Sequence, residues 1–205
     1  MPVISDSRNE MKIAIVGESG VGKTSIVRRF INKQNNPVED IRTTIGVDKS
    51  QTMHHVDGES FSLFVLDMAG SPHFEPLVKS YLAQVDAVIF VYDITDKDSF
   101  AMLPVWHTLV AECCQLGAND VNRLLVGNKK DLRREREVSF GNAQTYAGFE
   151  GMVALEVSAK DDDCVDLIFQ CATQELKSKF RSSAEKRQVK KAKFSLTKHC
   201  SGMMA

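Results

Sequence analysis

The run Gly17-Glu18-Ser19-Gly20-Val21-Gly22-Lys23-Thr24 has the residue types and spacing that hold a polyphosphate. Its glycines let successive backbone N–H groups curl round an anion at the start of a helix. Lys23 would reach the β/γ oxygens and the Thr24 hydroxyl would ligate Mg²⁺. The predicted contact set is Glu18, Ser19, Gly20, Val21, Gly22, Lys23, Thr24 and Ser25. A chance glycine-rich turn would show the same letters. This one lies between a strand-like run and a helix-like run, as phosphate binding requires. Alone it implies a nucleoside triphosphate and no particular base.

Further motifs narrow the chemistry. Asp67-Met68-Ala69-Gly70 follows the strand-like run Ser62–Leu66, so Asp67 would hold Mg²⁺ through its water shell and Gly70 would offer its N–H to a γ-phosphate. Asn128-Lys129-Lys130-Asp131 supplies a carboxylate, Asp131, that accepts from both N1–H and the exocyclic amine of guanine and so rejects adenine. Asn128 and Lys129 would join the base loop to the phosphate loop and cover the ring. Ser158-Ala159-Lys160 adds a backbone N–H for the guanine O6, with Lys160 over the base. Thr44, in Thr43-Thr44-Ile45-Gly46, would complete Mg²⁺ coordination only when a γ-phosphate is present. The metal candidates are therefore Thr24, Thr44 and Asp67, and the candidates for catalytic contact are Lys23, Thr44 and Gly70.

The elements that must position these residues alternate. Lys12–Val16, Val47–Val56, Phe61–Leu66, Ala87–Tyr92, Arg123–Val126 and Met152–Val157 read as strands, with Asp57-Gly58 as a hairpin turn. Thr24–Asn32, Ser99–Leu116, Ser139–Gly148 and Asp163–Lys179 read as helices, and Asn35–Thr44 as loop. Ala87–Tyr92 and the Arg123–Val126 run are continuously apolar, as in strands buried on both faces. This predicts an α/β fold, a mostly parallel sheet with helices on both faces. Residues 1–10 read as an N-terminal extension, 11–180 as the packed domain and 181–205 as a basic tail.

Composition sets bounds. With 205 residues and 43% hydrophobic content, one domain with a sizeable core is expected. The net charge of −1 is unevenly spread: seven Lys and Arg face the single acid Glu185 between Arg181 and Ala205. Such a tail is either a solvated charged segment or a membrane-surface contact. The five cysteines show no metal-ligand spacing. In helical stretches Cys113, Cys114, Cys164 and Cys171 read as small buried hydrophobes of a reducing compartment. No apolar run is long enough for a signal segment or a membrane span, and Pro2 excludes N-terminal myristoylation. The expected location is cytoplasmic, with peripheral contact on the cytosolic face of an endomembrane through the tail.

These motifs in this order resemble the Ras superfamily, from roughly Lys12 to Phe180. Thr44-Ile45-Gly46-Val47-Asp48, Val91-Tyr92-Asp93-Ile94-Thr95 before Asp98-Ser99-Phe100, and Glu156-Val157-Ser158-Ala159-Lys160 look like its Rab branch. The resemblance implies a P-loop small G domain with a six-stranded sheet, GTP/GDP and Mg²⁺ as ligands, and a switch acting in vesicle or cargo trafficking. Effectors, exchange factors and GTPase-activating proteins are the implied partners, with no nucleic acid.

Four departures qualify that resemblance. The family places glutamine after the DxxG glycine to orient the attacking water; here Ser71-Pro72-His73 follows Gly70, and serine is too short. His73 is either a substitute or plain surface. Slow hydrolysis is expected, and a GTP-loaded, non-catalytic scaffold is the alternative; a P-loop ATPase or kinase is disfavoured by Asp131 and Ser158–Lys160. No aromatic lies between Phe30 and Thr44 to pack on the base, and that stretch is about two residues longer than usual, so exchange is expected to be faster. Of the apolar triad that Rab effectors read, Lys49 and Leu66 replace two aromatics and Tyr81 remains. Cys200 stands five residues before the last one, outside any prenylation pattern, and is either S-acylated or a free thiol.

Overall fold

Six strands hydrogen-bond in the order β2-β3-β1-β4-β5-β6. They are β1 (Glu10–Val16), β2 (Val47–Val56), β3 (Glu59–Met68), β4 (Ala87–Asp93), β5 (Asn122–Asn128) and β6 (Val153–Glu156). The computed structural model describes residues 10–32, 43–114, 121–161 and 164–178. Every neighbouring pair is parallel except β2–β3, a hairpin. Asp57 (φ 49°) and Gly58 (φ 78°) form its tip, and the left-handed backbone there is what an Asp-Gly pair tolerates. β4 is buried along its whole length, which accounts for its unbroken apolar run. Edge strand β2 instead alternates exposed and half-buried residues.

Two apolar cores cover the sheet. On one face, Ile26, Val27 and Phe30 of α1 (Lys23–Asn32) meet Ile168, Phe169, Ala172 and Leu176 of the helix over 165–178, α6. There Phe30 stacks on Phe169 with ring centroids 3.7 Å apart. On the other face lie α2 (Glu75–Leu82), α3 (Lys97–Ala101), α4 (Leu103–Cys113) and α5 (Phe140–Phe149). The α/β class and the sheet covered on both faces are as expected.

Several elements differ from the sequence reading. The expected helix over Ser99–Leu116 is two helices hinged at Met102, because Pro104 has no N–H for the Phe100 carbonyl. Residues 115–116 lie outside the described residues. Helix α2 was not anticipated; its eight residues start with a proline at the second position and show only Val78 and Leu82 buried. Cys164 is exposed, with φ 63°, ahead of α6 rather than buried within it. Strands β1, β3 and β5 run longer than expected, so Asp67 and Asn128 belong to strands. Most of the Asn35–Thr44 loop, the basic tail and Cys200 lie outside the described residues.

Candidate nucleotide site

Strand order reverses at β1, and ligands of open α/β sheets bind beyond the carboxyl ends of strands at such a point. Gly17 follows β1, Asp67 is the last residue but one of β3, beside Ile15 in register, and Asn128 ends β5 opposite Asp93 of β4. A cleft of about 670 Å³ opens there. Ser19, Gly20, Gly22, Lys23, Thr24, Ser25, Thr44, Gly70, Asn128, Lys129, Asp131, Ala159 and Lys160 line it. Val21, Asp67 and Ser158 stand one layer behind, each buried. Glu18 faces a second cavity, described below.

The phosphate loop is held by close backbone packing. At Gly17 (φ 141°) a Cβ would run into the Val91 carbonyl, so the turn from β1 admits only glycine. Lys23 donates to the Gly17 and Glu18 carbonyls, each at 2.7 Å. Burial lowers its pKa to about 8, against the pull of Asp67 and Glu18. It is therefore still a cation at neutral pH, but a poorly solvated one that an anion would stabilise.

Thr24, Thr44 and Asp67 converge. The Thr24 hydroxyl donates to Asp67 Oδ2 at 2.5 Å and lies 2.9 Å from Thr44 Oγ1, which is 3.3 Å from the same carboxylate oxygen. Asp67 Oδ1 is buried and has no hydrogen-bond partner among the described residues. Burial pushes the Asp67 carboxyl above its usual range, while the two threonine hydroxyls and Lys23 pull it back. An orphaned carboxylate oxygen beside two hydroxyls fits a hard cation such as Mg²⁺. Among the described residues no group of three His, Cys, Asp or Glu gathers there, so the protein would supply only part of such an ion's oxygen shell, leaving the rest to water or phosphate.

The opposite end of the cleft is tied by side chains. Asn128 Nδ2 donates to the Val21 carbonyl at 2.9 Å, and its Oδ1 accepts from Ala159 N at 3.2 Å. Lys129 adopts left-handed backbone (φ 65°) and its Nζ lies 2.6 Å from Asp93 Oδ2. Ser158 Oγ donates to Asp131 Oδ1 at 2.7 Å and accepts from Asp161 N, which fixes the carboxylate plane. Arg29 of α1 donates to the Ala159 and Lys160 carbonyls at 2.9 and 2.7 Å.

Some of these supports escaped sequence reading. Arg29 carries no local signal, since its partners Ala159 and Lys160 are distant in the chain, and Asp93, though it also accepts from Thr95 N and Oγ1, gives no sign of its distant partner Lys129. Trp106 could have been found: it is the sole tryptophan, on an apolar helix, and a buried indole N–H seeks an acceptor. That acceptor is Glu18 Oε1, 2.9 Å away. Ser71 lies not on the cleft but on a second cavity of about 360 Å³ between the Pro72–Phe74 turn and α4.

Fold and site together define a small G domain of the P-loop class. The Ras family model matches residues 12–178, and the chain belongs to that family. It is 40% identical over 158 residues to human Ras-related protein Rab-30, spanning 77% of this chain and 75% of that relative. It is 34% identical over 171 residues to Ras-related protein RABD2a of Arabidopsis thaliana, spanning 83% and 82%. The chain is thus a Rab-like small GTPase of the Ras superfamily.

Proposed function

We propose that this protein is a GTP/GDP switch with slow intrinsic hydrolysis, acting in vesicle or cargo trafficking at the cytosolic face of an endomembrane. One observation carries the nucleotide assignment. Asn128 ties the Val21 carbonyl of the phosphate loop to Ala159, beside Asp131, whose carboxylate Ser158 orients. Two fixed acceptor oxygens suit the N1–H and exocyclic amine of guanine and would meet the N1 lone pair of adenine with repulsion.

Lys23, short of solvation, would bind the β/γ oxygens, and Gly70 would donate its backbone N–H to the γ-phosphate. Mg²⁺ held by Thr24, Thr44 and the Asp67 carboxylate would neutralise charge between the β- and γ-phosphates. The Thr44 hydroxyl stands 2.9 Å from Thr24 Oγ1, in place to meet that group, so its position would depend on the γ-phosphate and link the loop to nucleotide state. Effectors, exchange factors and activating proteins are the partners this reading implies. Lys49 Nζ sits 4.5 Å above the Tyr81 ring, so the expected effector face presents a cation where the resemblance to the Rab branch implies an aromatic.

Slow turnover rests on Ser71, which lines the second cavity and is too short to orient a water over the cleft. The same observation favours a second reading, a GTP-loaded scaffold that barely hydrolyses. Competition of GTP, GDP and ATP for wild type and Asp131→Ala tests the base assignment: ATP competing as well as GTP against wild type sinks it. Phosphate release with and without cell extract separates switch from scaffold, because an activator can supply an arginine in trans.

A further inference from the structure

A loop that gathers N–H donors round a polyphosphate carries one acid of its own, Glu18. Its backbone is built into the site: the Glu18 carbonyl accepts from Lys23 Nζ at 2.7 Å. A Cβ on Gly70 would collide with the Glu18–Ser19 peptide, so this part of the phosphate loop packs directly against the residue expected beside the γ-phosphate. Its side chain, by contrast, turns away and joins Trp106, 88 positions on, through the 2.9 Å indole hydrogen bond. Trp106 is itself 8% exposed and packs in the core under α4 beside Leu103 and Val110. Both side chains border the cavity on the side of Ser71, away from the base motifs.

We propose that Trp106 is a positioning residue for the nucleotide site, its indole N–H holding the Glu18 carboxylate out of the path of the terminal phosphate. The inference rests on the cleft being a GTP site. Freed from the indole, the carboxylate would rotate about side-chain bonds of the residue whose own peptide abuts Gly70, and place a negative charge near the γ-phosphate. Like charges in a partly desolvated cleft repel strongly, and the effect falls with distance. The β-phosphate, deeper in the loop, would feel it less. GTP should therefore suffer more than GDP, which a general loosening of α4 would not produce.

The test is a double-mutant cycle on nucleotide dissociation. Trp106→Phe keeps an aromatic in the core and removes the donor. Since Trp106 is the only tryptophan, biosynthetic replacement by benzothienylalanine removes the N–H at nearly constant shape and serves should the phenylalanine variant fail to fold. In the wild-type background either change should speed GTP release about 10-fold and GDP release about twofold. In the Glu18→Gln background, where no charge remains to be held, either should alter GTP release by less than about twofold. Equal effects in both backgrounds, or equal effects on GTP and GDP, overturn the proposal. If wild type retains no guanine nucleotide at all, the reading of the cleft fails first and takes this inference with it.

Discussion

Asn128 donates its side-chain amide to the carbonyl of Val21, 2.9 Å away and 107 positions earlier in the chain. Its other end accepts from Ala159 N, so one buried side chain joins three motifs that the sequence keeps far apart. Asn128→Ala would leave a buried carbonyl and a buried N–H unmatched, at roughly 1–3 kcal/mol each. Denaturant unfolding should show a loss of about 2–5 kcal/mol, and fluorescent guanine nucleotide should leave at least about 10-fold faster. Gly22→Ala attacks the same contact from the other side, because Gly22 (φ 94°) has its Cβ position filled by the Asn128 amide. It should speed release of fluorescent guanine nucleotide as Asn128→Ala does, because it displaces the same amide with the base motif itself unaltered in sequence.

Asp67→Asn should separate stability from binding. Burial holds the Asp67 carboxyl above its usual pKa even with both threonines donating to it, so its ionised form opposes folding in the nucleotide-free protein. An asparagine keeps an acceptor for Thr24 and removes the charge. Without nucleotide, the midpoint of thermal unfolding should rise by about 2–4 °C, equivalent to about 1 kcal/mol. The extra stabilisation that Mg²⁺ and GTP give to wild type should vanish. A variant that melts below wild type without ligand, or still gains from Mg²⁺, contradicts this account of the carboxylate.

Legibility in the sequence followed the range of the interactions involved. Short motifs whose parts act together within a few residues, Gly17–Thr24 and Asn128–Asp131, were readable because glycine conformations and donor patterns are local. The strands of the sheet centre were readable because burial on both faces leaves unbroken apolar runs, as in Ala87–Tyr92. Helix α2 was not, since two buried residues in eight leave almost no periodic signal after two prolines. The hinge at Met102 was missed because the apolar spacing continues across Pro104. Contacts between distant residues were the least visible. Nothing near Asp93 shows that it will hold Lys129 at 2.6 Å, and nothing near Glu18 points to Trp106.

Ser71→Gln should restore what position 71 lacks. Ser71 lines the second cavity, but it follows Gly70, which borders both that cavity and the cleft, so the longer glutamine side chain would turn back past Gly70 to bring its amide to a water beside the γ-phosphate. Single-turnover hydrolysis should quicken by about 10-fold or more, in line with the effect of positioned catalytic groups. Pro72 at the start of the following turn is unaffected, and nucleotide affinity should stay within about twofold. A wild type already as fast as the glutamine variant would show that another group orients the water. His73→Ala would then be the variant to compare.

Lys23 gives the site a pH signature. An unfolded lysine keeps its proton to about pH 10.4, whereas burial lowers folded Lys23 to about 8. Between those values the unfolded chain binds more protons, so this group makes stability rise with pH. Below about 8 both states are protonated and the full penalty of burying the cation is present. Lys23→Met removes the group, and the variant's advantage over wild type without nucleotide should shrink from pH 7.5 towards pH 10. The change should reach about 3 kcal/mol at most, at 1.36 kcal/mol for each pH unit of the window. Taking the difference between the two proteins cancels the ionisation of Cys113, Cys114 and Cys171, whose thiols burial pushes upward. With Mg²⁺ and GTP bound, phosphate oxygens would pair with the ammonium and return its proton affinity towards the ordinary range. The pH dependence should then flatten, and a slope unchanged by nucleotide would place Lys23 outside the phosphate site.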